Sequence, residues 1–211
     1  MSGRCLIISG GVFCELPEEL RTAEYVIACD RGYLHAERMN TVPDLIVGDF
    51  DSAPPPATAI PVERVPSEKD DTDTMLAARR AVELGCSDVV ICCCFGGRLD
   101  HTLANLQTAA WLAGHGVRVR LTGMDTEAYV LNAGTLRIPA SDGWSLSLFS
   151  LADRCEGVSI RGTKYDGDNL VITNTFPIGV SNYWTAGEAE ITVRRGILLI
   201  IESRLEKGEH I

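Results

Sequence analysis

Up to about residue 125, short unbroken apolar runs alternate with stretches long enough to be helices, and this alternation constrains the fold more than any other feature. Cys5 to Ser9, Tyr25 to Cys29, Leu45 to Val47, Val89 to Cys94 and Val117 to Thr122 are bounded by glycine or charge. Runs without polar alternation are buried on both faces, so they read as strands of a mostly parallel sheet. Between them Gly32 to Asn40, Thr72 to Leu84 and Thr102 to Gly114 have helical character. In Thr72 to Leu84 the apolar face is expected at Met75, Leu76, Ala78, Ala81 and Val82, with Asp70 or Asp71 as the cap and Gly85 at the end. Strand, helix, strand order implies an α/β layer with helices on both faces of the sheet.

From about Glu127 the texture changes to short strand candidates joined by turns. They are Thr135 to Ile138, Trp144 to Leu151, Gly157 to Gly162, Asn169 to Thr173, Glu188 to Arg194 and Ile197 to Glu202. Period-two alternation in Ser145 to Leu148 and Glu190 to Val193 predicts half-buried strands, and Arg195-Gly196 predicts a hairpin turn. The expected organisation is an α/β domain over residues 1–125 and an all-β sandwich or barrel over 126–211. The tail Lys207 to Ile211 is expected to fray, and Ala53 to Ala57 reads as a stiff proline loop.

In such sheets ligands bind beyond the carboxyl ends of the strands, and that is where the acidic motifs fall. Asp30 follows one predicted strand, Gly48-Asp49-Phe50-Asp51-Ser52 the next, and Gly96-Gly97-Arg98-Leu99-Asp100-His101 another, while Lys69-Asp70-Asp71-Thr72-Asp73 opens a predicted helix. Carboxylates two or three apart, with arginine and lysine in reach, suit a hard divalent cation that holds a polyphosphate. In an extended segment Asp49 and Asp51 share one face. Asp70 and Asp73 are spaced to face one side of a helix start. Gly48 permits a turn there, and Ser52 stabilises it or touches phosphate. Lys69 acts as a point charge, Gly97 permits close backbone approach, and Arg98 offers a fork for phosphate. Asp100 and His101 then face the reacting centre. Gly10-Gly11 is a further candidate phosphate-approach turn, and no Gly-x-x-x-x-Gly-Lys-Ser/Thr loop is present.

The formal charge of -10, from 19 basic and 29 acidic residues, argues against nucleic acid or an anionic membrane as partner. No apolar run reaches the ~18 residues of a membrane-spanning helix, and the first residues are too short an apolar stretch for a signal peptide. The location expected is cytoplasmic. Eight cysteines, mostly inside apolar runs and without metal-site spacing, read as buried reduced thiols.

The stretches Ala28 to Gly32, Pro43 to Ser52, Lys69 to Asp73, Gly96 to His101, Gly162 to Tyr165 and Gly179 to Asn182, in this order, resemble the bacterial thiamine pyrophosphokinase family. The resemblance covers nearly the whole chain. It implies transfer of the pyrophosphoryl group of ATP to the thiamine hydroxyl with Mg2+, giving thiamine diphosphate and AMP, in a homodimer with thiamine sites between subunits. It implies metal positions at Asp49, Asp51, Asp70 and Asp73, with Asp49, Asp51, Asp73 and Asp100 catalytic. Asp30, Arg31, Ser52, Lys69, Gly97 and Arg98 would bind nucleotide, and Asp100, His101, Ser181, Asn182 and Trp184 thiamine. Arg31 departs from the small residue many members carry there. Either Asp73 or Asp100 would accept the hydroxyl proton. The rivals are a pyrophosphokinase for another alcohol such as a pterin, a metal-dependent glycosyltransferase, and a thiamine- or nucleotide-sensing protein without turnover.

Overall fold

The computed structural model describes residues 3–50, 59–66, 68 and 70–206. The chain divides into two compact units, Met1–Met124 and Asp125–Ile211. The first runs β1 (Arg4–Ile8), α1 (Glu18–Arg21), β2 (Tyr25–Cys29), α2 (Gly32–Arg38), β3 (Leu45–Gly48), β4 (Val62–Arg64), α3 (Asp73–Glu83), β5 (Asp88–Cys92), α4 (Leu99–Gly114) and β6 (Arg118–Thr122).

Its strands lie in the order β6-β5-β1-β2-β3-β4, every pair parallel. Leu6 pairs with Val26 on one side and Val90 on the other, so β1 is central and the chain order reverses between β1 and β5. Leu6, Ile7 and Ile8 are wholly buried, and each contributes roughly 1.5–3 kcal/mol of burial. Strands filled this way leave no room for function along their length.

The helices depart from expectation in instructive ways. The cap of α3 is Thr72, whose hydroxyl accepts the Met75 amide at 3.2 Å, rather than Asp70 or Asp71. Its buried face is Thr74, Ala77, Ala78 and Ala81, while Met75, Leu76 and Val82 are half-buried. Small residues let the helix axis approach the sheet, which the larger side chains would prevent. Helix α4 begins at Leu99, so Asp100 and His101 stand in its first turn and not in a loop. Strand β4 and the four-residue α1 have no counterpart in the apolar pattern. The proline loop Ala53 to Ala57 and the tail from Lys207 lie outside the described residues.

The second unit contains β7 (Thr126–Pro139), β8 (Trp144–Ser150), β9 (Arg154–Arg161), β10 (Gly167–Thr173), β11 (Gly179–Asn182) and β12 (Glu188–Arg204). These pair antiparallel around β12, which runs beside β7 from Glu188 to Ser203, beside β9 in its first half and beside β8 in its second. Arg195-Gly196 is therefore a bulge inside one strand and not a hairpin turn: Val193 opposes Gly134 and Ile197 opposes Asn132. At that bulge β12 leaves one neighbour and joins the other. Ile138, Leu146, Leu148, Val158, Ile160, Ile172, Ile191 and Leu198 form the core it wraps.

Candidate active site

The reversal of strand order between β1 and β5 opens a crevice, and a cleft of about 620 Å³ occupies it. Its walls come from Ser9 to Phe13 after β1, Cys29 to Arg31 after β2, His35 on α2, Asp49 after β3, Thr72 to Thr74 at the start of α3, and Gly97, Arg98, His101 and Asn105 around the start of α4.

Backbone geometry holds these ends together. The Gly11 amide donates to the Cys93 carbonyl at 2.8 Å, and a side chain on Gly11 would collide with that carbonyl at 2.5 Å. The Asp30 amide donates to the Val47 carbonyl at 2.8 Å. A Cβ on Gly48 would sit 2.9 Å from the Asp30 Cα, so Gly48 serves the close approach of two strand ends rather than a turn. Phe50 has φ 58°, in the left-handed region, so the chain leaving Asp49 is not the extended segment expected there; Asp51 lies outside the described residues.

Asp30, Asp49 and Asp73 line this cleft together with Arg31, His35, Arg98 and His101. Among the described residues no three acidic, histidine or cysteine side chains stand close enough together to hold a metal ion by themselves. Asp30 is itself in a left-handed conformation (φ 45°), and its Oδ1 is buried with no hydrogen-bond partner among the described residues. A buried carboxylate oxygen is costly to leave unpaired, so it points to a cation or donor that arrives with the ligand. Asp73 is anchored through its carbonyl, which accepts the Cys29 thiol at 3.6 Å. Ser9 and Thr74, both buried, share a hydrogen bond of 3.0 Å across the floor. Asn105 donates to the Cys94 carbonyl at 2.7 Å, fixing α4 to the end of β5.

His35 Nε2 lies 2.9 Å from the Gly11 carbonyl and donates to it, while Phe13 packs against the imidazole and carries the Arg38 guanidinium 3.6 Å from its centre. Burial lowers the His35 pKa and the hydrogen bond to Gly11 opposes it, with Arg31 and Arg38 lowering it further. The neutral imidazole thus braces the turn after β1.

Two described predicted site residues of the first unit are not in this cleft's lining. Asp100 forms a two-pronged ion pair with Arg98, Nε to Oδ1 at 3.1 Å and Nη2 to Oδ2 at 2.6 Å, and takes the His101 amide at 3.0 Å. The Arg98 hydrogen bonds hold its pKa below the usual carboxylate range, so it is a weak base. Asp70 is exposed. Asp51, Ser52 and Lys69 lie outside the described residues. Ser9, Phe13, His35, Thr74 and Asn105 were not among the predicted site residues; Gly10-Gly11 was the one signal pointing to the first of them.

In the second unit, Gly162 to Tyr165 and Gly179 to Asn182 come together through Asn182. Its Oδ1 accepts the amides of Tyr165 and Tyr183, each at 3.0 Å, and its Nδ2 donates to Thr163 Oγ1 and the Tyr165 carbonyl, each at 3.0 Å. The buried Asn182 therefore builds the turn. That turn displays Tyr165, 62% exposed, with the Lys164 ammonium near its ring and that of Tyr183. Trp184 packs on the core and donates its indole N–H to the Ile138 carbonyl at 3.3 Å. Ser181, at φ 60°, donates its amide to Ser147 Oγ.

The family description "Thiamin pyrophosphokinase, catalytic domain" matches residues 16–121, and "Thiamin pyrophosphokinase, vitamin B1 binding domain" matches residues 135–198. The chain belongs to the thiamin pyrophosphokinase family. A thiamine pyrophosphokinase of Bacillus subtilis (strain 168) is 26% identical over 184 residues, 84% of this chain and 86% of its own. The crystal structure of the Bacillus subtilis protein matches with a TM-score of 0.84 at 25% identity, covering 95% of this chain and 99% of that one. A thiamin pyrophosphokinase family protein from Enterococcus faecalis matches at 0.79 and 26% identity, over 96% and 100% of the two chains. The Candida albicans thiamin pyrophosphokinase, at 17% identity over 96% and 89%, shares the fold with a TM-score of 0.77. As a member of this family the chain is an ATP-dependent diphosphotransferase that carries the pyrophosphoryl group of ATP to the thiamine hydroxyl. Among the described residues no helix is long and apolar enough to cross a membrane.

Proposed function

We propose that the cleft at the β1/β5 reversal is where the ATP triphosphate reacts, with Asp30, Asp49 and Asp73 as its acidic residues and Arg98 as a cation for the phosphates. The carrying observation is the buried Asp30 Oδ1, without a hydrogen-bond partner among the described residues, in a cleft whose lining also includes Asp49, Asp73 and Arg98. Hard oxygen donors of this kind fit Mg2+, which takes one or two carboxylates and completes its shell with substrate phosphates and water. Asp49 and Asp73 would hold it, with Asp51 the further candidate outside the described residues and Asp70 too exposed to be a leading one. Bound there, it would neutralise charge on the transferred group.

The chain's own residues then position and polarise. Arg98 steadies phosphate oxygens, helped by Arg31, and Gly97 lets the chain pass close to the nucleotide. Lys69 and Ser52 remain nucleotide contacts by resemblance. The thiamine hydroxyl attacks the β-phosphorus in line, and AMP leaves. Asp73, in the cleft, is the better-placed proton acceptor; Asp100, ion-paired to Arg98, orients that arginine. For the thiamine ring Tyr165 is the stronger platform than Trp184, because its face is exposed, whereas Trp184 is engaged with the core. Ser181 and the turn built by Asn182 flank it. Stacking under a thiazolium cation is the interaction such a ring supplies.

The protein is proposed to act in the cytoplasm as a homodimer, thiamine binding between subunits. A second copy would cover the exposed apolar side chains Leu170, Val171, Phe176, Ile178 and Val180 of the second unit. All eight cysteines are buried and none forms a disulfide, as a reducing compartment would keep them.

Asp49→Asn and Asp73→Asn are each expected to lower kcat by at least about 10³-fold without unfolding the protein, and Asp100→Asn by less than about tenfold. Product analysis with ATP, Mg2+ and thiamine checks this. An Asp73→Asn enzyme within tenfold of the parent would overturn the assignment.

A further inference from the structure

The acidic cluster at the start of α3 contains two carboxylates that do not line the cleft. Asp73 lines the cleft and Asp70 is exposed, but Asp71 does neither job: its Oδ2 accepts Arg79 Nε at 2.9 Å and its Oδ1 accepts Arg79 Nη2 at 3.4 Å. Both prongs of the guanidinium fork are engaged, the geometry that fixes direction as well as distance. Helical side chains lean toward the N-terminus, so Arg79, two turns along α3, reaches back to the segment that leads into its own helix.

The same guanidinium stands 5.4 Å from the ring centre of Trp111 on α4. Trp111 is in turn backed by His115, ring centres 3.9 Å apart, whose Nδ1 is 2.8 Å from the Trp111 carbonyl. Helix α4 starts at Leu99, directly after Arg98, and carries His101 in its first turn. The start of α3 thus brings Asp73 to the cleft, the start of α4 brings His101 just after Arg98, and Arg79 contacts Asp71 before the one helix and Trp111 on the other.

We infer that Asp71, Arg79 and Trp111 form a strut that sets the approach of the Asp70–Asp73 segment to α4, making Asp71 a positioning residue rather than a metal ligand. The inference rests on the assignment of Asp73 to the reacting cleft. An ion pair this exposed adds little to global stability. Its loss is therefore expected to loosen the segment without unfolding the protein. A displacement of an ångström at Asp73 is enough to slow an in-line transfer.

The experiment uses the whole chain and the variants Asp71→Asn, Arg79→Gln, their double, the reciprocal Asp71→Arg/Arg79→Asp, and Trp111→Leu. Each single change at Asp71 or Arg79 is expected to lower kcat by about three- to tenfold, leaving the Mg2+ concentration for half-maximal rate and the thermal midpoint near the parent's. The double variant should be no slower than the slower single one, the reciprocal pair should recover part of the loss, and Trp111→Leu should slow turnover in the same range. Multiplying effects in the double variant, or a shifted Mg2+ dependence in Asp71→Asn that persists when Arg79 is Gln, would make Asp71 a ligand and overturn the strut. So would parent-like kinetics in both single variants. Hydrogen exchange of the amides from Asp70 to Met75 reads the strut without catalysis: faster exchange in Asp71→Asn and Arg79→Gln supports it, unchanged exchange contradicts it. If the parent protein forms no thiamine diphosphate, the reading of the cleft fails instead, and the exchange result still decides the strut.

Discussion

The two units solve opposite problems of exposure. In the first, β1, β2, β3 and β5 are buried almost end to end, so every polar residue that does chemistry is pushed to a strand's carboxyl end or a helix's first turn. In the second, antiparallel strands alternate: along β12 Ala189, Ile191 and Val193 are buried while Glu188, Arg194 and Arg195 are exposed. Function can then sit on a solvated turn, and Asn182 shows how such a turn is held. A parallel sheet concentrates a site by topology; an antiparallel one must build it by side-chain hydrogen bonds.

That contrast makes the site proposed in the second unit the more breakable. Asn182→Ala removes all four of its side-chain bonds and leaves buried partners unsatisfied, so it is expected to cost about 3 kcal/mol of stability and to raise the thiamine KM together with it. Denaturant unfolding and initial rates measure both. A stable Asn182→Ala protein would show that the turn is held by other means. Tyr165→Ala should separate binding from folding: the thiamine KM rises roughly tenfold while kcat and stability stay near the parent's, and the same change at Trp184 instead destabilises the core.

The first unit offers a smaller effect with a definite sign. Because burial lowers the His35 pKa below its ordinary value of 6.5, the unfolded chain binds the proton first as the pH drops. The stability that the neutral imidazole contributes is intact above that value and lost as the pH falls through it. Thermal unfolding between pH 7.5 and 5.5 should show a steeper decline in the parent than in His35→Gln, which keeps a donor for the Gly11 carbonyl. Parallel declines would remove His35 from the titration.

The same contrast decides what was legible in the sequence. Continuous apolar runs announced β1, β2, β3 and β5, and glycine and aspartate at their ends announced the cleft. Strand β4 was not legible because two of the three residues of Val62-Glu63-Arg64 are charged and it is a strand only through its pairing with β3. In the second unit Arg195-Gly196 has the chemistry of a turn, and β7 alone, paired on both sides of the bulge, keeps β12 continuous. Tyr165 escaped because a single aromatic in a loop carries no period. Asp100 and Asp73 looked equivalent in sequence, and their difference arises in three dimensions, where Arg98 claims one and the cleft the other.

The role proposed for the first unit depends on carboxylates from three separate segments meeting one ion-bound triphosphate. Adding Mn2+ with a non-hydrolysable ATP analogue to isotope-labelled protein and recording paramagnetic broadening tests this directly. The amides of Asp30, Asp49 and Asp73 should broaden together at substoichiometric Mn2+, with Gly97 following. Broadening confined to one of those three segments would contradict a shared site.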